Sequence, residues 1–243
     1  MSCIYCQNYQ ISAEGQGKEI TIEQLASIFL YLQEQKAHNI NLVTPTMYAW
    51  EIKQALELAK KQGLHIPIIY NTNGYEDIKT LQMLEGVIDI YLPDLKYASE
   101  EMGQKYSKVR NYFEIATKAI LEMYRQVGNP KFDEHQMLQK GVIIRHLVLP
   151  EHLQNTRRVL KWIKENLPQE VMVSIMAQYF PTHQAMQDAY INRKLTTKEY
   201  RQVENWVYTM GLENGYLQEL EEKEAEYVPD FGKEQLEEII EKI

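Results

Sequence analysis

The sequence predicts an α/β fold built on parallel strands, and three observations point there. Five short, nearly all-apolar runs read as strands covered on both faces. Stretches of helical periodicity separate them, as parallel pairing requires, because each connection must travel back along the sheet. Polar residues gather at the carboxyl ends of the runs: TP at 44–45, NTNG at 71–74, PDLK at 93–96, RHLVLPEH at 145–152 and AQYFP at 177–181. In an open doubly wound sheet and in a full or partial barrel alike, the ligand site lies at those ends. Periodicity alone leaves both closures open.

The elements follow in order. In KEITIEQLASIFLYLQEQKA, apolar residues at Ile22, Leu25, Ile28, Phe29 and Leu32 repeat at helical spacing. NINLVTP is a short strand closed by Pro45, and MYAWEIKQALELAKKQG is a helix stopped by Gly63. IPIIYNTNG is a strand ending in a turn, YEDIKTLQMLEG a short helix, and VIDIYLPDLKY a third strand. One long helical stretch then runs to EMYRQVG, and NPKFDEHQMLQK reads as a loop with few order signals. GVIIRHLVLP is a strand, HLQNTRRVLKWIKENL a helix and EVMVSIMAQYFP a strand. A helix around TTKEYRQVENWVYTMG and an acidic tail, LEEIIEKI, complete the chain. No internal repeat, low-complexity tract or long linker divides it.

Composition narrows the function classes. The 243 residues are 44% hydrophobic and 25% charged, enough to bury a core without disulfides. A net charge of −8 argues against sequence-independent binding to nucleic acid or anionic membranes. No apolar run approaches the roughly 20 residues of a membrane span. No basic region followed by an apolar stretch opens the chain. Two cysteines without a secretion signal lead us to expect a cytoplasmic protein.

The strand ends supply candidate groups. Asp94 and Lys96 have the same parity and project from one side of their strand, as a ligand site or as a structural ion pair. Arg145 and His146 are adjacent and point to opposite faces. At least one is therefore buried, and a buried arginine needs an anion, with a protein carboxylate the usual candidate. NTNG also suits a simple turn. His38, His65, His135 and His183 lack metal-ligand spacing and read as surface or capping residues.

The chain's two cysteines, Cys3 and Cys6, fall in MSCIYCQNYQIS. A lone CxxC admits a redox pair, but here no strand precedes it. Structural zinc needs four ligands, and a four-iron cluster with one open iron needs three thiolates. On cysteine count none of the three is complete.

The surrounding residues add a resemblance. CIYCQNYQIS resembles the end of the CxxxCxΦC motif of radical S-adenosylmethionine (SAM) enzymes, with Tyr5 as the aromatic Φ, in the branch related to the pyruvate formate-lyase activating enzyme. NINLVTPT, IPIIYNTNGYE, DIYLPDLKY, KYS, EMYRQVG, IIRHLVLPEH and YVPDF resemble further blocks of that family in the expected order. The resemblance implies a partial (β/α)6 barrel over about 1–181, a helical extension and tail over about 182–243, and one domain across 1–243. It implies a [4Fe-4S] cluster whose open iron binds SAM, reductive cleavage to a 5′-deoxyadenosyl radical, and hydrogen abstraction from a substrate. A flavodoxin- or ferredoxin-type electron donor would supply the electron. A glycyl-radical enzyme or another protein would be the partner, with a small molecule or a degenerate, non-catalytic barrel as alternatives.

By the same resemblance, Cys3 and Cys6 match the second and third cluster ligands, and Tyr5 the aromatic near the adenine. Asn71, Thr72, Asp94 and Lys96 match segments around the SAM carboxylate and a nearby cation, and Asn71 stands where the family has an acidic residue. Arg145, rather than His146, matches an arginine that contacts SAM. Gln178 and Tyr179 stand near the place of a family histidine. TPT at 44–46 replaces a Gly-Gly-Glu segment. The motif spacing puts the first cluster cysteine four residues before Cys3, so a truncated copy lacking that cysteine and the first barrel strand is expected.

Overall fold

The structure, a computed structural model, describes residues 1–8 and 17–220. Its strands are β1 (Ile40–Val43), β2 (Ile68–Thr72), β3 (Ile90–Pro93), β4 (Lys131–Phe132), β5 (Leu138–Leu147), β6 (Met172–Met176) and β7 (Gly215–Leu217). The path β1-β2-β3-β5-β6-β7 is parallel throughout, and β4 pairs antiparallel with the start of β5. Its helices are α1 (Ile22–Glu34), α2 (Ala49–Lys61), α3 (Ile78–Met83), α4 (Glu100–Ser107), α5 (Tyr112–Val127), α6 (Leu153–Asn166) and α7 (Thr197–Met210).

This topology decides between the two closures. Each parallel strand lies beside its predecessor, with no reversal of order, which is barrel winding; a doubly wound sheet reverses at a switch point. The same face of the sheet meets successive helices: Tyr91 on β3 donates to Gln126 of α5 at 2.6 Å, and His146 on β5 contacts Thr156 of α6 at 2.9 Å. β1 and β7 do not pair with each other, so the barrel is partial.

Local chemistry sets the boundaries. Thr21 and Gln24 form a reciprocal capping box that starts α1, and Thr196 and Glu199 do the same for α7. Ser99 caps α4, whose first turn carries Glu100 and Glu101 against the positive end of the helix dipole.

Several expectations are corrected. The single long helix before Gly128 is two, α4 and α5, broken where Lys108 and Asn111 take left-handed φ values of 57° and 53°. NPKFDEHQMLQK forms the β4–β5 hairpin rather than a featureless loop. The helix expected from Met47 begins as a 3-10 turn over Pro45–Tyr48. A sixth parallel strand, β7, follows α7. At Gly215 (φ 144°) a Cβ would come within 1.9 Å of the Val173 carbonyl oxygen, so only glycine allows β7 to approach β6. The tail LEEIIEKI, the YVPDF block and Tyr9–Ser12 of the cysteine block lie outside the described residues. No helix among the described residues is long and apolar enough to cross a membrane.

Candidate active site

Residues along each strand alternate between a face packed under helices and a face turned to the barrel interior. Register places Val43 beside Asn71, Asn71 beside Leu92, Asp94 beside Arg145 and Arg145 beside Ser174. Asn71, Asp94 and Arg145 therefore share the interior face at the carboxyl ends of β2, β3 and β5. Gln178, just past β6, accepts from Gln218 at 3.1 Å.

Three charges converge there. Lys96 Nζ lies 2.5 Å from Asp94 Oδ2, and Arg145 Nη2 lies 2.7 Å from Asp94 Oδ1. Burial alone would push Asp94's carboxyl up, but Lys96 and Arg145 outweigh it and hold it below the usual carboxylate range. Burial opposes the charge on Lys96 as well, yet Asp94, with Cys3 behind it, holds the ammonium above its ordinary value. The Arg145–Asp94 contact is close in distance but not aligned: Asp94 Oδ1 and Arg145 Nε are both buried without a hydrogen-bond partner. The cluster thus contains one acceptor and one donor whose hydrogen-bonding capacity is unmet.

His146 faces the other way. Its Nδ1 lies 2.7 Å from the Leu95 carbonyl oxygen and its Nε2 2.9 Å from Thr156 Oγ1. The ring is fully buried, and burial pushes it down to about 4 from 6.5. A histidine whose folded pKa is lowered contributes stability that is complete above its unfolded pKa and is lost as pH falls toward the folded value. We expect stability to fall between about pH 6.5 and 4, by on the order of 3 kcal/mol from this residue. Denaturant midpoints of wild type and His146→Gln across that window check this; parallel curves would refute it.

A tyrosine and a glycine join the ends of β2 and β3. The Tyr112 hydroxyl meets the Asn73 and Asp94 carbonyl oxygens at 2.9 Å each and accepts from the Lys96 N–H at 3.0 Å. Gly74 has φ 81°, and a Cβ there would lie 2.2 Å from the Asp94 carbonyl oxygen. That close approach sets where Asp94 stands.

Thr72 and Tyr179 are not brought to this face. Thr72 is buried under the helices, its hydroxyl donating to Glu76 and accepting from the Gly74 N–H at 3.2 Å. Tyr179 is buried, its hydroxyl donating to the Ile191 carbonyl at 2.5 Å and its ring meeting Tyr5 edge-on at 5.9 Å.

The cysteine loop sits against the same end of the barrel. Its main chain hangs on the last turn of α4 through Ser2 N–H to Ser107 O (3.1 Å) and Ile4 N–H to Tyr106 O (2.9 Å). From the other side, Ala185 N–H donates to Ile4 O at 3.0 Å. Cys3 Sγ lies 3.0 Å from Ser107 Oγ, which lies 2.8 Å from the Tyr97 hydroxyl. Tyr5 is buried and hydrogen-bonds Tyr97. Tyr97 meets Tyr112 edge-on at 5.2 Å, so an unbroken set of contacts leads from Cys3 to Asp94. The Cys6 N–H donates to Cys3 O at 3.2 Å, closing the turn between the two thiols. Reading the sequence missed Tyr97 and Glu76, which lie just past the PDLK and NTNG strand ends, and Ser107 and Tyr112, which end α4 and begin α5.

Comparison with known proteins supplies the family. The profile of the radical SAM superfamily matches residues 1–163, and the chain belongs to that superfamily. It is 33% identical over 208 residues to a protein of Methanocaldococcus jannaschii named only as uncharacterized. That alignment takes in 81% of this chain and 56% of the relative, so the chain spans little more than half of the relative's length. Among solved structures it resembles a domain of the pyruvate-formate lyase-activating enzyme of Bacteroides vulgatus (TM-score 0.50, 15% identity, 74% of this chain and 98% of that one). It also resembles methylornithine synthase, PylB (0.57, 16%, 86% and 59%). A third likeness is to SuiB of Streptococcus suis bound to its precursor peptide (0.58, 14%, 85% and 42%). At these identities the likenesses show the fold, a partial radical SAM barrel.

The superfamily uses a [4Fe-4S] cluster and SAM. The unmet acceptor on Asp94 and unmet donor on Arg145 are of the kinds that the amino, carboxylate and hydroxyl groups of SAM would satisfy. The thiol set fits only in part. The chain has two cysteines, and among the described residues no three His, Cys, Asp or Glu side chains are arranged to hold a metal ion. Two cysteines are one fewer than the three thiolates such a cluster takes.

Proposed function

We propose that this protein is a radical SAM enzyme of the type that activates a glycyl-radical enzyme, working as one domain with Cys3 and Cys6 as cluster ligands. The observation that supports this reading most is the buried Asp94–Lys96–Arg145 cluster, with its unfilled hydrogen-bonding positions, at the strand ends beside Cys3. A cluster held by Cys3 and Cys6 would supply the single electron for cleaving the S–C5′ bond of SAM, with methionine released, and so the means of abstracting hydrogen from the partner.

The chain's own groups bind and orient. Arg145 Nε would donate to a SAM acceptor and Asp94 Oδ1 would accept from a SAM donor. Asn71, on the same face, would add an amide to the ligand's edge. Lys96 would keep Asp94 ionised and balance the charge of a thiolate at Cys3. Ser107 would hold the Cys3 sulfur, and Tyr5, packed on Tyr97 and Tyr179, would fix the loop. Gln178 would line the far side, and a flavodoxin- or ferredoxin-type donor would reduce the cluster. Exposed Val43, Met47, Tyr48 and Trp50 cluster at and beyond the end of β1, which suits a polypeptide partner more than a small metabolite. A second reading, a barrel that binds SAM without catalysis, is favoured by the cysteine count alone.

With iron, sulfide, reductant and SAM under anaerobic conditions, 5′-deoxyadenosine should form, and Arg145→Ala should weaken SAM binding by about tenfold or more. Deoxyadenosine missing from a sample with full iron content would leave the non-catalytic barrel.

A further inference from the structure

One buried acid lies outside the charge cluster. Glu76 is 3% exposed and none of the described ion pairs includes it; three hydroxyls bond it instead. Thr46 donates to Oε1 at 2.6 Å, Thr72 donates to the same oxygen, and Tyr70 donates to Oε2 at 3.3 Å. Burial pushes its carboxyl up, against the pull of those donors. Hydroxyls from β2 alone, Tyr70 and Thr72, would anchor the carboxylate to the strand that it follows. The third reaches another element, the turn that follows β1.

That turn holds an uncommon conformation. Thr44 leaves β1 at φ 52° and ψ 51°, a left-handed geometry that is a true outlier for a β-branched residue. Strain of this kind persists only where the surroundings over-determine it. Two contacts do so: Thr44 N–H donates to the Asn71 carbonyl at 2.8 Å, and Thr46 is tied to Glu76. Asn71 stands on the same interior face as Asp94, so the turn adjoins the site on the β1 side, and its Met47 and Tyr48 are exposed.

We propose that Glu76 is a positioning residue that fixes the Thr44–Tyr48 turn as a wall of the SAM site by holding Thr46. This rests on the reading given under Proposed function. Thr46→Val removes the hydroxyl at nearly constant shape and leaves Glu76 bonded to Thr72 and Tyr70. Glu76→Gln keeps an acceptor for Thr46, and Glu76→Ala removes it.

Two readouts test the proposal, amide hydrogen exchange of residues 44–48 and SAM affinity by calorimetry. In Thr46→Val, exchange should quicken at 44–48 with the melting temperature unchanged within about 3 °C, and SAM should bind about tenfold more weakly. Glu76→Ala should match that loss, Glu76→Gln should keep wild-type affinity within about threefold, and the Ala/Val double variant should be no worse than Glu76→Ala. Additive losses, or unchanged exchange and affinity in Thr46→Val, would overturn the proposal. A wild-type chain that does not bind SAM would sink the underlying reading and this one with it, a result distinct from wild-type binding that the variants leave unaltered.

Discussion

Asp94→Ala should destabilise the protein by about 3–5 kcal/mol, because it leaves Lys96 and Arg145 side by side, largely buried, with no counter-charge. Asp94→Asn should do nearly as much harm: it keeps the volume but not the charge that both cations need. The contribution has a defined pH range. A carboxyl held below its ordinary value in the folded state stabilises fully above its unfolded pKa and loses that effect as pH falls through the folded one. The penalty of Asp94→Ala should therefore be complete at pH 7 and shrink only below about pH 4. Urea midpoints at pH 7 and pH 3 measure it. A loss under about 1 kcal/mol at pH 7 would mean that the cluster behaves as an exposed salt bridge, solvated and weak.

Gly74→Ala should cost roughly 2–4 kcal/mol, by adding left-handed strain to a collision with the Asp94 carbonyl. Gly86→Ala is the control. Its φ of 83° is nearly the same, but a Cβ there meets nothing within 4 Å, so it should cost only the conformational part, about 1–2 kcal/mol. The difference between the two isolates the close approach of the β2 and β3 ends. Gly74→Ala should also weaken SAM binding, whereas Gly86→Ala should leave it unchanged. Equal losses of stability in both would show that the approach can relax at no cost.

Much of this arrangement was legible in the sequence. Strand parity put Asp94 and Lys96 on one side, and they do meet. The opposed directions of Arg145 and His146 required at least one to be buried, and His146 is; the expectation of a protein carboxylate for the arginine is met by Asp94, a partner that the sequence did not name. What stayed hidden has physical causes. β7 is three residues long, offers no apolar alternation, and depends on a glycine fitting against Val173. In the β4–β5 hairpin only Lys131 and Phe132, both exposed, pair with the start of β5, too few residues for an alternation to mark. Glu76 and Ser107 acquire their surroundings from hydroxyls distant in sequence, such as Thr46 and Tyr97, so periodicity says nothing of them. Thr72 looked like Asn71's equal in the NTNG turn, but alternation sends its side chain under the helices.

The attachment of the cysteine loop has a kinetic consequence. Residues 2–6 join no strand; three main-chain hydrogen bonds, the Cys3–Ser107 contact and the buried Ile4 and Tyr5 hold them. Their release exposes far less apolar surface than global unfolding, so it belongs to the low-energy openings that a folded protein samples many times before it denatures. Such an opening would require Tyr5 to leave its contacts with Tyr97 and Tyr179 while the sheet stays folded.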